Sequence, residues 1–246
     1  MHVKRLVSIH DVTPENFGAA LELLHRVERD RARPVTLLVA PSSKWDARSL
    51  SRLRAIQGRG HSLAAQGHEG EAIGSSGGLG LPPGTSSRPS RSERCRSAKQ
   101  EALRRVQGAA KWFGEAGLGA PSLYVPPAWD PGSLPLDRFQ EIPFEMVELL
   151  SGLLETKTGQ LTKLPLIGDR VFHHGAAHSP TTLPLRSTST RMFNTWNCRR
   201  ARRLGRLRIA LHPADLRNAS SSMILDRLAE GSRDVTTRGP MRWAGS

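Results

Sequence analysis

Cysteine is scarce in this sequence, which contains only Cys95 and Cys198. Two cysteines exclude a disulfide-stapled scaffold and any zinc module that is built from several thiolates. Long apolar runs are absent as well, because no segment approaches the ~20 consecutive apolar residues that a transmembrane helix needs. The amino-terminal stretch MHVKRLVSIHDV lacks the long apolar centre of a signal peptide. We interpret it as a first β-strand and expect a cytoplasmic protein without a membrane partner.

Aromatic residues are also few, at 5% with a single tyrosine, and this scarcity bears on the strong positive charge. The formal net charge is +14, and only six of the 36 basic residues are lysine. An arginine excess can form a phosphate-binding surface. A nucleic-acid interface, however, usually adds aromatic or motif signals. The sequence therefore favours a solvated arginine-rich surface over a nucleic-acid partner.

Buried strands that alternate with helices are typical of parallel βαβ units. The length of 246 residues suits one α/β domain or two small ones, and 37% apolar residues can form a core. Thr13 and Pro14 are expected to open a first helix, and Asp46 to cap a second. The predicted strands of this first part cover 3–12, 34–40 and 61–65, and the helices cover 14–29 and 46–58.

The rest of the chain is less regular. Residues 69–96 are rich in Gly, Ser, Pro and Arg and contain few core formers, which predicts a flexible insert. Further elements are predicted as a helix at 98–115, strands at 122–125, 144–150 and 207–211, a hairpin at 153–166 and a last helix at 218–230. Residues 170–206 are predicted to be irregular and basic.

Polar side chains follow several of these strands directly. Asp11 ends the first strand, Gln66 and His68 follow the third, and His212 follows the last. Because the carboxyl ends of parallel strands meet at one face, we expect these side chains to converge there. A metal-dependent hydrolase would need a carboxylate and two imidazoles at such a place.

Four segments, SIHDVTP (8–14), GHSLAAQGHE (60–69), YVPPAW (124–129) and LRIALHPADL (207–216), together resemble the polysaccharide deacetylases. The similarity is greatest to a divergent, largely uncharacterised bacterial branch and runs from about residue 3 to 237, failing only in the insert. It implies a distorted parallel (β/α) barrel of the polysaccharide deacetylase type, with one domain over residues 1–246. It also implies a hydrolase that removes acetyl groups from a carbohydrate substrate with a divalent metal, expected to be zinc, held by an Asp-His-His site.

The resemblance carries roles to individual residues. Asp11 matches the metal-binding aspartate, His10 lies where the family has its base, and His212 matches the late acid histidine. Pro127 and Trp129 lie in the turn that shapes the substrate groove.

The two metal histidines of the family are replaced here by Gln66 and Gly70. Glutamine is a poor zinc ligand beside histidine, and glycine offers no side chain. His68 is the candidate substitute ligand, together with Asp11. The alternative is a degenerate, non-catalytic member that binds glycans through the same groove.

Each candidate also has a structural interpretation. Asp11 could cap the following helix, His10 and His212 could be hydrogen-bonded at strand ends, and Trp129 could belong to the core. His61 is interpreted as structural and Asp215 as a brace of the following turn.

Two groups of basic residues can be interpreted either as functional sites or as solvent-exposed surface. His173, His174 and His178 are interpreted as a solvated loop rather than a metal cluster. The third functional alternative, a nucleic-acid-associated basic protein, depends on the arginine excess and on the run from Arg199 to Arg208 beside Trp196. A solvated helix face is the favoured interpretation of that run.

Overall fold

The computed structural model describes residues 3–30, 34–42, 44–67, 91–130, 140–169 and 183–217. The strands are β1 (Lys4–Val12), β2 (Val35–Val39), β3 (Ser62–Gln66), β4 (Leu123–Val125), β5 (Met146–Leu149), β6 (Gly152–Glu155), β7 (Leu161–Lys163), β8 (Leu166–Ile167) and β9 (Arg206–Leu211). The helices are α1 (Phe17–Asp30), α2 (Ala47–Gly58), α3 (Arg91–Glu115) and α4 (Leu183–Leu204). None of these described helices is long and apolar enough to cross a membrane.

All nine strands join one sheet in the order β7-β6-β5-β4-β3-β2-β1-β9-β8. The strands from β5 to β8 in this order pair in parallel. The pairs β5–β6 and β6–β7 are antiparallel and include the hairpin that the sequence predicts. The helices between the first strands are the crossovers that parallel pairing requires.

The sheet is curled so that its two outer strands come close together. Only Leu164 and Pro165 separate the end of β7 from the start of β8. Three Cα–Cα steps span at most about 11 Å, so the two edges of the sheet lie side by side at this point. The backbone N–H of Leu164 donates to Ser151 O at 3.2 Å, and that of Arg208 donates to Pro165 O at 2.8 Å. The result is the barrel-like curl that the sequence predicts, with an antiparallel hairpin at one edge.

The curled sheet has two apolar faces because successive strand side chains point to opposite sides. On the outer face, Val7 and Ile9 pack with buried residues of α1, α2 and α3, including Leu24, Leu53 and Phe113. The inner face holds a smaller cluster of buried residues: Leu38, Ala64, Leu123, Val125, Trp129, Leu153, Leu164, Leu166 and Ala210. The polar residues of β1 and β9 that form the site share this inner face.

The predicted strands and the α2 cap are confirmed, but three helix predictions need correction. The helix α1 begins at Phe17 rather than at Pro14. Thr13 lies before it, with its backbone N–H donating to Asn16 Oδ1 at 3.0 Å. The helix α3 begins at Arg91, so residues 91–96 are helical and do not belong to the predicted insert.

The largest error concerns residues 170–206, because α4 occupies Leu183–Leu204. Its inward stripe contains Thr190, Asn194, Asn197 and Ala201, which are buried or half-buried. Asn194 hydrogen-bonds both the N–H and the carbonyl of Gly168, at 3.1 and 3.2 Å. A helix whose inner stripe is mostly polar gives no apolar periodicity, which is why the pattern failed to predict it.

The structural interpretation of His61 is confirmed. Its Nδ1 accepts from Val35 N at 3.1 Å, and its Nε2 lies 2.7 Å from Glu28 Oε1. The ring therefore ties the start of β3 to β2 and to α1.

Several predictions fall outside the described residues. They concern His68, Gly70, the histidines 173, 174 and 178, most of the 69–96 insert and the last helix at 218–230. The extent of one domain over residues 1–246 stays a prediction.

Candidate active site

Asp11, Gln66 and His212 meet at the carboxyl ends of β1, β3 and β9. The register between β1 and β2 shifts between Ile9 and Val12, so Asp11 lies in a β-bulge. Its φ of 53° is in the left-handed region, which Asp adopts more readily than most residues. This bulge changes the direction of the Asp11 side chain from that of a regular strand. Backbone strain of this kind is often found at functional sites.

The Gln66 amide holds Asp11 through two hydrogen bonds. Its Oε1 accepts from the backbone N–H of Asp11 at 2.7 Å, and its Nε2 donates to Asp11 Oδ1 at 2.5 Å. These partners determine the orientation of the amide, because a backbone N–H requires the oxygen and a carboxylate requires the NH₂ group. Asn16 adds a third contact from Nδ2 to Asp11 O at 2.6 Å. The bulge is therefore stabilised by side chains from both β3 and the start of α1.

His212 lies between two carboxylates. Its Nε2 is 3.7 Å from Asp11 Oδ2, and its Nδ1 is 3.7 Å from Asp215 Oδ2. Asp215 also accepts from the backbone N–H of His212 at 2.7 Å, which confirms its predicted role as a brace of the turn. The His212 side chain is 1% exposed, whereas that of Asp11 is 29% exposed. Asp11 is therefore the member of the pair that solvent or a ligand can reach.

His10 lies one layer deeper, on the inner face of the sheet. Its Nε2 is 2.8 Å from Ser8 Oγ, and its ring lies 4.9 Å from that of Trp129 and 5.3 Å from that of His212, centroid to centroid. The residue is 1% exposed. Such burial favours the hydrogen-bonded alternative at the strand end, and the role of His10 as a base stays a prediction. Its position suits a packing partner of His212.

Trp129 forms the buried wall of the site rather than an open stacking surface. It is 2% exposed, and its Nε1 donates to Glu148 Oε1 at 2.9 Å. This burial favours the core alternative, and a role of Trp129 in the substrate groove stays a prediction. Pro127 is half-buried and lies where the chain leaves β3, because a Cβ at Gly67 would come within 2.7 Å of its Cδ. Of the two predicted substrate-binding residues, Pro127 is therefore partly accessible, whereas Trp129 is buried.

Below the site, Arg208 and Glu148 form a buried ion pair that sequence analysis did not identify. Arg208 Nη1 lies 2.7 Å from Glu148 Oε1, and both side chains are almost fully buried. The guanidinium also donates to Leu164 O at 3.0 Å and Leu150 O at 2.9 Å. Burial lowers the pKa of Arg208, and the carboxylate of Glu148 opposes that effect.

Strand alternation could have predicted this pair. Residues 208, 210 and 212 share one face of β9, so Arg208 points the same way as His212. The sequence pattern instead places Arg208 in the basic run that begins at Arg199.

The described residues do not fit a divalent metal. No cluster of three His, Cys, Asp or Glu side chains within them could hold such an ion. Asp11 Oδ1 already faces the N–H of the Gln66 amide, and turning that amide around would place its NH₂ against the backbone N–H of Asp11. Gln66 is therefore arranged as a hydrogen-bonding partner of Asp11, and not as a metal ligand.

Comparison with known proteins gives structural matches only. No protein-family model matches the sequence, and a search of curated proteins found no match. A polysaccharide deacetylase, provisionally so named, from Mycobacterium smegmatis superposes with a TM-score of 0.55 at 13% identity, over 95% of this chain and 85% of that chain.

Two further structures superpose less closely. A family 4 carbohydrate esterase from Streptomyces lividans, in complex with acetate, gives a TM-score of 0.44 at 14% identity, over 94% of this chain and 86% of that one. The Xyl-CE4 domain of a multidomain xylanase from the hindgut metagenome of Trinervitermes trinervoides gives a TM-score of 0.42 at 11% identity, over 94% of this chain and 81% of that one.

The Mycobacterium smegmatis structure confirms the resemblance at the level of fold. The curled sheet order, the parallel strands and the site at their carboxyl ends agree with the architecture that the sequence motifs imply. By its fold, this chain is of the polysaccharide deacetylase type.

Proposed function

We propose that this protein is a deacetylase-like hydrolase that removes acetyl groups from a carbohydrate, with its reactive centre at Asp11 and His212. The observation that carries the proposal is the 3.7 Å approach of His212 Nε2 to Asp11 Oδ2 at the carboxyl end of the sheet. That end is where α/β folds of this kind form their active sites. The fold likeness to a provisionally named polysaccharide deacetylase supports the substrate class.

The proposed chemistry follows from the different exposure of Asp11 and His212. Asp11 is the partly exposed carboxylate and accepts a proton from a water molecule that attacks the acetyl carbonyl. The C–N or C–O bond then breaks, and the Asp11–His212 pair returns one proton to the departing amine or alkoxide. Acetate and the deacetylated sugar leave, so water supplies all the atoms that are added.

Neighbouring residues position this pair. The Gln66 amide binds Asp11 Oδ1, which leaves Oδ2 directed towards His212. Asp215 lies on the far side of the imidazole and fixes the turn that carries it. Fixed orientation of a base and its partner accounts for part of the rate advantage of an enzyme.

No step is assigned to a metal. The family resemblance implies an Asp-His-His zinc site, and His68, the substitute ligand expected beside Asp11, lies outside the described residues. The donors of the described residues do not fit a divalent ion. The proposal therefore derives no step through a metal and assigns roles only to Asp11 and His212.

The test is acetate release from acetylated chito- and xylo-oligosaccharides. Replacing Asp11 by Asn keeps the shape of the side chain but removes the base, so the rate should fall by a factor on the order of 10²–10⁴. Glu22→Gln makes the same carboxylate-to-amide change on the exposed face of α1, and its rate should equal that of the wild type. Equal rates for the wild type and Asp11→Asn would contradict the proposal.

A second candidate is a non-catalytic glycan-binding protein of the same fold. Its support is the Gln66 amide, which occupies Asp11 with two hydrogen bonds where the family resemblance places a metal ligand. Calorimetric titration with the same oligosaccharides separates the two candidates. Saturable binding of the oligosaccharide without acetate release would establish the second, and acetate release that depends on Asp11 would exclude it.

A further inference from the structure

A cavity of about 520 Å³ lies between α4 and the outer face of the sheet. Its strand side chains come from the start of β1, from β9 and from β8, and Ile167 and Ile209 form part of an apolar floor. The volume is within the range of small-molecule sites in proteins. Arg5 and Val3 place the cavity at the amino end of β1, so it is separate from the candidate active site at the carboxyl end.

The charged side chains that line this cavity, among the described residues, are all arginines. Arg5 extends from β1, and Arg199 and Arg202 extend from α4, three residues apart and thus on the same helix face. None of the described residues that line the cavity is acidic. Within the described part of the chain, no ion pair joins Arg199 or Arg202 to a carboxylate. An anion in the cavity would supply a negative charge opposite Arg199 and Arg202.

The rest of the basic run points elsewhere. Arg200 lies over the Trp196 ring with its Cζ 4.5 Å from the ring centroid, and Arg208 is buried inside the curled sheet. Arg200 and Arg203 are not among the lining residues. The expectation of a solvated basic face is corrected for Arg208 alone, because Arg199, Arg202, Arg203 and Arg206 are exposed.

We propose that this cavity binds a phosphate monoester that carries an apolar group. The guanidinium groups match phosphate through paired N–H donors, and a phosphate monoester carries a charge of about −1.5 to −2 at neutral pH. Its apolar group would lie against the half-buried Val3 and Cys198, above the buried Ile167 and Ile209. This inference is independent of the acetyl-transfer chemistry at Asp11.

Calorimetric titration with hexyl phosphate tests the ligand class. Hexyl phosphate should bind at least tenfold more tightly than inorganic phosphate, which lacks the apolar part, and than hexanol, which lacks the charge. Hexanoate carries a single charge and should bind more weakly than hexyl phosphate. Equal affinity for hexyl phosphate and inorganic phosphate, or the absence of any hexyl phosphate binding, would overturn the proposal.

A pair of matched variants tests the location. Arg199→Gln with Arg202→Gln should weaken hexyl phosphate binding at least tenfold, which corresponds to about 1.4 kcal/mol. Arg200→Gln with Arg203→Gln removes the same charge from the same helix, outside the cavity, and should leave the affinity unchanged. Equal losses in the two variants would mean general attraction to a basic surface and would overturn the site.

The thiol of Cys198 lines the cavity, so its rate of modification is a second measure of whether the cavity is occupied. In a Cys95→Ser background, modification of Cys198 by a chromogenic disulfide should slow at least tenfold at saturating hexyl phosphate. The Arg199→Gln, Arg202→Gln variant should lose this protection. Modification at the same rate with and without hexyl phosphate would contradict occupation of the cavity.

Discussion

Asp11 combines a backbone conformation and a side-chain contact that each depend on Gln66. The left-handed φ of 53° places the carboxylate beside His212, and the Gln66 amide binds both the N–H and the side chain of the same residue. One glutamine thus stabilises an unfavourable backbone and orients the carboxylate. The sequence predicts that Gln66 points into the cleft, and the structure confirms it.

Removing the Gln66 amide should therefore be costly. Gln66→Leu leaves the Asp11 N–H and one carboxylate oxygen without their bonds in a partly buried setting, and we expect a loss of roughly 1–3 kcal/mol in the free energy of unfolding. Urea unfolding followed by circular dichroism measures it. The control Gln57→Leu removes a single bond, from Gln57 Nε2 to Leu118 O at 3.1 Å, and should cost less. Equal losses would show that Gln66 does not support the bulge.

At the scale of single elements, the cap of α2 is a clear case of local sequence determining local structure. Asp46 accepts from Ser49 N at 2.6 Å, as the sequence predicts. The hydrogen bond from that N–H lowers the pKa of Asp46 below its ordinary value. Because the pKa is lower in the folded than in the unfolded state, the stabilisation is present above the ordinary Asp pKa and is lost as pH falls through the folded-state value.

Two substitutions separate the cap from its charge. Asp46→Ala should lower the Tm at pH 7, because the Ser49 N–H loses its acceptor. Asp46→Asn should keep a cap at pH 7 and lose less Tm than the wild type when the pH is lowered, since an amide does not titrate. Calorimetry at pH 7 and at a pH below the ordinary Asp pKa measures these Tm changes. The same Tm decrease on acidification in the wild type and Asp46→Asn would contradict the assigned cause.

The ion pair between β5 and β9 acts across the curl of the sheet. Arg208 and Glu148 lie on strands that are far apart in the sheet order, and their 2.7 Å contact spans the inside of the curl. Glu148→Gln leaves a buried guanidinium without its counter-charge, and we expect a loss of roughly 3–5 kcal/mol in the free energy of unfolding. Glu145→Gln changes an exposed residue beside the same strand and should have little effect. A small loss for Glu148→Gln would mean that water reaches this pair.

At the scale of the whole molecule, the strands could be predicted where their apolar runs are continuous. The strand Val35–Val39 is one example. The polar residues Asp11 and His212 at the ends of two further strands indicate where the candidate site lies. The helix α4 could not be predicted in this way, because Thr190, Asn194 and Asn197 occupy its inner stripe. The buried Arg208 was also missed, since a run of arginines suggests solvent unless the strand alternation is followed residue by residue.

The details of the site lie beyond pattern analysis for a physical reason. A β-bulge at Asp11 needs no glycine or proline, so nothing in the sequence marks it. The two bonds from Gln66 depend on that bulge, because a regular strand would present the Asp11 side chain to the opposite face from His10. Sequence patterns therefore predict which residues meet at the end of the sheet, whereas their orientation depends on the tertiary structure.

The central proposal is that Asp11 and His212 form the reactive centre of a hydrolase that removes acetyl groups from a carbohydrate, with no metal held by the described residues. The most direct measurement is acetate release from an acetylated oligosaccharide by protein that has been dialysed against a chelator, compared with the same protein after zinc is added. The account predicts the same Asp11-dependent rate in both samples. A rate that disappears on chelation and returns with zinc would contradict the metal-free chemistry, and the absence of release in both samples would contradict hydrolysis.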